Sequence, residues 1–178
     1  MQYLENLIKE KSLTSCIEFG SGQSTKLLTQ IGIDFISLDD NYTYAEKNPN
    51  VSITDLKQLD DNTFNQVVNG EINYVDIQDN FNTTSARHTR QKNCFYKIPV
   101  DKVNKKFDLV ILDGPNGNGR SIAYNFIKPY LTKVSYILVD DFTHYPFIEH
   151  LTSTFPNSTL VKQHQQGRDE WCVYKVQM

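Results

Sequence analysis

No stretch of about eighteen apolar residues occurs in the chain, so nothing in it reads as a membrane-crossing helix. The opening Met-Gln-Tyr-Leu-Glu has neither the basic nor the apolar region of a secretory signal. Both absences point to a soluble, cytoplasmic protein. Cysteine is scarce as well. Cys16, Cys94 and Cys172 are odd in number and widely spaced, which leaves out a disulfide framework and a thiolate zinc site. Nor is there an excess of positive charge: 18 Lys and Arg against 21 Asp and Glu give a formal net charge of -3. That balance argues against binding a phosphate backbone, so neither nucleic acid nor a membrane is expected as a partner; homo-oligomerisation stays open. No internal repeat is visible, and 178 residues suit one domain.

What the chain does have is a strand that turns sharply into a helix. The apolar run Cys16, Ile17, Phe19 ends in Gly20-Ser21-Gly22, and a helical pattern begins at once with Lys26, Leu27, Leu28 and Ile31. Two glycines let the backbone approach a ligand closely, and a helix start offers unpaired N–H donors. A dinucleotide site would want a third glycine at position 25, where Thr25 stands. An acid, Glu18, precedes the first glycine by two residues. A carboxylate there would repel a pyrophosphate but suits an amino group or a sulfonium.

Further elements follow the same alternation. Residues 2–12 predict an amphipathic helix, Thr14–Phe19 the first strand, Gln23–Ile31 a helix and Asp34–Asp39 a second strand. The polar region 44–70 reads as mostly helical and 72–77 as a third strand, while residues 79–106 show no clear period. Phe107–Asp113 and Tyr136–Val139 read as core strands, separated by a helix over 121–131 and followed by one over 147–155. Residues 158–165 and 170–176 alternate around Gly167 as an antiparallel hairpin. Strand–helix alternation implies an α/β fold with a parallel sheet and right-handed crossovers.

The stretch Glu18-Phe-Gly-Ser-Gly-Gln-Ser-Thr25 resembles motif I of the class I S-adenosylmethionine-dependent methyltransferases. That resemblance implies a Rossmann-like, mostly parallel seven-stranded sheet with an antiparallel C-terminal hairpin and helices on both faces. It implies a methyl donor, S-adenosylmethionine, held by Glu18, Gly20, Ser21, Gly22, Ser24 and Thr25. An acid at the end of the second strand would take both ribose hydroxyls; Asp39 matches, with Asp40 as fallback. Asp76, as a third-strand acid, would reach the adenine amino group, with Tyr42 and Tyr44 flanking the base.

Asp113 ends one predicted strand, and Asp140 and Asp141 end the next. If those strands are neighbours, three carboxylates meet at one rim, and a hard cation such as Mg²⁺ would relieve their repulsion. This resembles the metal-dependent O-methyltransferases, closest to the macrocin type that methylates sugars. There the metal would bind neighbouring substrate hydroxyls and lower the pKa of one. Asp113 would be catalytic, and Pro115 stands where that type often has a basic Asp, so His144 becomes the candidate base. Seven of the 18 Lys and Arg lie between Arg87 and Lys106, with His88 among them. Such a basic insertion at about 79–106 could grip an anionic acceptor such as a nucleotide-linked sugar, Arg87, Arg90 and Arg120 being the natural contacts. Trp171, Cys172, Val173 and Tyr174 read as packing. The functional expectation is methylation of a sugar oxygen. The alternatives are a catechol-type O-methyltransferase, a nicotinamide-dependent oxidoreductase and a catalytically silent nucleotide-binding protein.

Overall fold

A computed structural model of the chain describes residues 1–41, 48–84 and 91–178. The positions Tyr42, Tyr44, Arg87, His88 and Arg90, singled out above, lie outside the described residues. Helix α1 (Gln2–Lys11) precedes β1 (Ser15–Phe19), α2 (Gln23–Ile31) and β2 (Asp34–Asp39). Then come β3 (Val51–Ile53), β4 (Leu56–Gln58), α3 (Asp61–Val68), α4 (Tyr74–Ile77), β5 (Thr83–Thr84) and β6 (Cys94–Tyr96). The last part holds β7 (Phe107–Leu112), α5 (Ile122–Ile127), β8 (Leu131–Asp140), α6 (Phe147–Thr154) and the hairpin β9 (Thr159–Gln166) and β10 (Asp169–Gln177).

Seven strands form one sheet in the order β3-β2-β1-β7-β8-β10-β9. β3, β2, β1, β7 and β8 run parallel, and β10 and β9 run antiparallel beyond them. Alternation along each strand sends side chains to two separate cores. Cys16, Leu109, Ile111 and Tyr136 pack with α1 and α2 through Leu4, Leu7, Ile8 and Leu28. Ile17, Phe19, Val110, Leu112, Ile137 and Val139 pack the other way, against Phe64 and Val67 of α3, Phe126 of α5 and Leu151 of α6. Helices therefore cover both faces, as expected.

The middle of the chain departs from the reading. Region 44–70 was expected to be mostly helical, yet it supplies the third parallel strand, β3, which pairs Val51 with Ser37 and Ile53 with Asp39. It also supplies β4, the centre of a small antiparallel sheet with β5 and β6. At three residues each, β3 and β4 are too short to display a period of two. The expected strand at 72–77 is instead the short helix α4, whose Asn73 side chain caps the Val75 N–H at 3.3 Å. Asp76 consequently stands exposed on a helix and ends no strand of the large sheet. Thr54 and Asp55 follow β3 instead; Thr54 N–H bonds the Asp39 carbonyl at 2.9 Å.

Lysines of the basic segment are tethered to acids of neighbouring elements. Lys92 pairs with Asp61 at 2.7 Å, Lys97 with Asp79 at 2.6 Å and Lys105 with Asp34 at 2.5 Å. Among the described residues no helix is long and apolar enough to cross a membrane.

Candidate active site

The glycine turn joins β1 to α2 at the carboxyl rim of the sheet, and its two glycines do different jobs. Gly20 adopts φ 93°, and a Cβ there would lie 2.7 Å from the Gly114 backbone nitrogen. A Cβ on Gly114 would in turn sit 2.3 Å from the Tyr96 hydroxyl. These two glycines thus let the β1 and β7 loops touch backbone to backbone, and Phe19 O accepts from Asp113 N–H at 2.9 Å and Gly114 N–H at 2.6 Å. Gly22, by contrast, has nothing within 4 Å of a built Cβ. It caps α2 facing open space.

Thr25 explains why a third glycine is dispensable. Its hydroxyl accepts from Gly22 N–H at 2.8 Å and donates to Glu18 Oε2 at 2.6 Å. Thr25 is itself buried, so it supports the turn from behind. Glu18 is fully buried and its other oxygen, Oε1, has no hydrogen-bond partner. Burial raises the Glu18 pKa, the neighbouring hydroxyls of Ser24, Ser37 and Thr25 oppose the shift, and the Asp113 charge adds to it.

Asp39, the expected ribose acid, fastens the turn. Its Oδ2 accepts from Ser21 N–H at 2.6 Å and its Oδ1 from Asn41 N–H at 2.7 Å. Burial is the largest influence on its raised pKa, with these backbone bonds pulling the other way. Each oxygen still has a lone pair for a ligand. Gly20, Ser21, Asp39, Asp40, Tyr96 and Asp113 line a cleft of about 210 Å³ on this side of the turn.

A larger cleft of about 400 Å³ opens on the other side, between α1, the start of α2 and the ends of β7, β8 and β10. Asp113 borders both clefts, and Ser24 borders the larger one. Asp113 and Asp140 follow the paired residues Leu112 and Val139. They share the face of Ile111 and Leu138 and line the same cleft. Burial first, then the neighbouring Asp113 carboxylate, push the Asp140 pKa up to about 7.

The expected trio of metal ligands is split. Consecutive residues leave a strand on opposite faces, so Asp141, at φ 50°, turns away from the pair. It meets His144 Nδ1 at 3.8 Å and the Arg120 guanidinium at 3.8 Å. His144 also lies 3.6 Å from Glu170, whose buried carboxylate accepts from the Thr143 N–H and hydroxyl. His144 thus lines a small hollow with Asn116, Arg120 and Tyr145 and borders neither cleft. Arg120, expected to grip substrate, is only 3% exposed. It donates to the Pro115 carbonyl at 3.1 Å and the Asp140 carbonyl at 2.8 Å, tying the β7 and β8 loops together.

Three residues of these clefts were not read as functional. Tyr96 comes from the segment without period. Trp171 reads as packing and Tyr3 falls in the amphipathic helix expected over 2–12, yet both wall the larger cleft. Trp171 is the cross-strand partner of Asp140, so only the register of β10 on β8 shows that they share a face.

No protein-family model matches the chain, and no curated protein matches it. Solved structures do. A protein assigned as a caffeoyl-CoA O-methyltransferase from Staphylococcus aureus superposes with TM-score 0.54 at 12% identity, over 99% of this chain and 82% of that one. The chain shares the methyltransferase fold. A ribosomal RNA methyltransferase from Plasmodium falciparum superposes with TM-score 0.50 at 12% identity, over 99% and 94% of the two chains. The T. thermophilus 16S rRNA N2 G1207 methyltransferase, solved with AdoMet and guanosine, gives TM-score 0.50 at 12% identity over 99% of this chain and 42% of its own. These two correct the expectation that nucleic acid is not a partner. Net charge was its basis, and proteins named for ribosomal RNA share this fold.

Proposed function

We propose that the protein is an S-adenosylmethionine-dependent methyltransferase. The observation that carries this reading is Glu18: a buried carboxylate beneath the glycine turn with one oxygen lacking a donor. A buried acceptor left unpaired is costly, and a ligand that brings a cationic donor would satisfy it. The amino-acid end of S-adenosylmethionine has that chemistry, whereas a dinucleotide pyrophosphate would add a second negative charge. Asp39 is fixed by two backbone N–H bonds and retains lone pairs for the ribose. The open space at Gly22 leaves room for the donor against the start of α2. When bound, the donor supplies an electrophilic methyl group on a sulfonium. The protein's share is alignment, because displacement at that carbon needs a collinear approach.

The acceptor approaches from the larger cleft, next to Asp113, which borders both spaces. Methylation of a sugar oxygen with Mg²⁺ assistance is the finer form of this reading. Only two of its three expected carboxylates share a face, so the metal has little support, and the Asp113–Asp140 pair is the group placed to take a proton from the acceptor.

Calorimetric titration with S-adenosylhomocysteine and, separately, with NAD tests the donor assignment. The expected result is binding of the former alone, weakened at least tenfold by Glu18→Gln in protein that still melts cooperatively. Binding of NAD in its place would assign the turn to a different cofactor.

A further inference from the structure

The larger cleft combines two kinds of surface that together select a ligand. One wall is aromatic and aliphatic. Tyr3 stacks on Trp171 at 4.9 Å and 25°, His164 stacks on Trp171 at 5.4 Å and 22°, and Ile111 and Leu138 continue the wall. Tyr3 of α1 and Trp171 of β10 line the cleft, and His164 of β9 stacks on Trp171 from outside the lining, so the wall is formed before a ligand arrives. The floor and mouth are acidic: Asp113 and Asp140 at the ends of β7 and β8, and Asp169 at the hairpin. No lysine or arginine lines this cleft among the described residues. Arg120, seven residues after Asp113, spends its guanidinium on the Pro115 and Asp140 carbonyls.

Asp113 and Asp140 directly follow Leu112 and Val139, register partners on adjacent strands, and both line the cleft. Two carboxylates so placed repel unless a proton or a cation lies between them. A hard divalent ion is a poor answer here. The third carboxylate points away, and such an ion keeps several waters that an aliphatic and aromatic wall cannot bond. An anionic head group would add to the repulsion. An ammonium on an apolar or planar body satisfies both surfaces, its N–H groups donating to the carboxylates and its body lying on the rings.

We propose that the cleft of Tyr3, Trp171, Asp113 and Asp140 binds an organic amine in its ammonium form, the body against the rings and the nitrogen between the two carboxylates. To accept a methyl group the ammonium must first give one proton to the carboxylate pair; its freed lone pair then forms the N–C bond as the S–C bond of the donor breaks and S-adenosylhomocysteine leaves. That use of the amine rests on the methyltransferase reading; its binding in this cleft does not. The substrate class is then a ring-bearing amine in place of a sugar.

The test is calorimetric binding of three probes of matched shape at pH 7, with saturating S-adenosylhomocysteine and again without it. The probes are tryptamine, its alcohol counterpart tryptophol and the anion indole-3-acetate. Tryptamine is expected to bind at least tenfold more tightly than tryptophol, with indole-3-acetate weakest. Asp113→Asn should abolish the preference for tryptamine over tryptophol, and Asp169→Asn, at the exposed mouth, should reduce it. Equal binding of amine and alcohol, tighter binding of the anion, or a Mg²⁺ isotherm with no amine binding would each overturn the proposal. The wild-type comparison needs no variant to fold. Titration with S-adenosylhomocysteine alone reports on the donor site: silence there refutes the methyltransferase reading, whereas an amine failure beside intact donor binding refutes this proposal alone.

Discussion

Replacing Asp140 by Asn should stabilise the protein, and the gain should depend on pH in a defined window. In the folded state the Asp140 pKa is pushed from an ordinary 3.8 up to about 7. Between those values the folded protein holds a proton that the unfolded chain has released. Stability therefore falls as pH rises from about 4 to about 7, and the loss is complete above that. Three units at 1.36 kcal/mol each set a ceiling of about 4 kcal/mol. Asp140 is only half-buried, and solvent screening brings the expected cost to about 1–2 kcal/mol. Asn keeps the shape, can donate an amide N–H to Asp113 and carries no charge to desolvate. The variant should melt about 3–6 °C above the wild type at pH 8 and level with it at pH 4. Melting curves followed by circular dichroism across pH 4–9 give the difference directly. A variant-minus-wild-type difference that is flat with pH, or that shrinks toward alkaline pH, would show that the two carboxylates do not share a proton.

The division of labour between the glycines gives a second prediction. Gly20→Ala should cost more than about 3 kcal/mol, since its Cβ meets the Gly114 backbone at a positive φ. Gly22→Ala should leave the melting temperature within about 2 °C yet weaken S-adenosylhomocysteine at least tenfold in calorimetry. Equal affinity in that variant would remove Gly22 from the donor site. Arg120→Ala should cost about 3 kcal/mol in urea unfolding, because two carbonyls lose their donor and Asp141 its nearest cation. Arg120→Lys should recover less than half of that, lacking the planar fork that reaches both carbonyls. Trp171→Ala should leave S-adenosylhomocysteine affinity intact and lower tryptamine affinity at least fivefold, as read by the same titration.

Much of this molecule was legible in the chain because the signals are local. A run such as Leu109-Val110-Ile111-Leu112 is apolar throughout because both faces of a central parallel strand are covered. Gly20 and Gly22 mark the turn, and Gly167 marks the hairpin. Glu18 and Asp39 could be placed near the rim because Glu18 is the last residue but one of a recognisable strand and Asp39 ends the next. Asp76 could not be placed: the third strand is three residues long, and its identity depends on pairing with β2.

What the sequence determined by itself is the order of long strands and helices and the sites where strands end in glycine or acid. Only the tertiary structure decided which of those acids meet. Asp140 and Asp141 are identical in the chain, and strand alternation sends one to Asp113 and the other to Arg120 and His144. Only tertiary packing, likewise, makes Thr25 the support of Glu18, buries Arg120 as a clamp between two loops and turns Tyr3 and Trp171 into the wall of a cleft. Periodicity is a property of neighbours along the chain, whereas a site is made by register between strands that lie far apart in it.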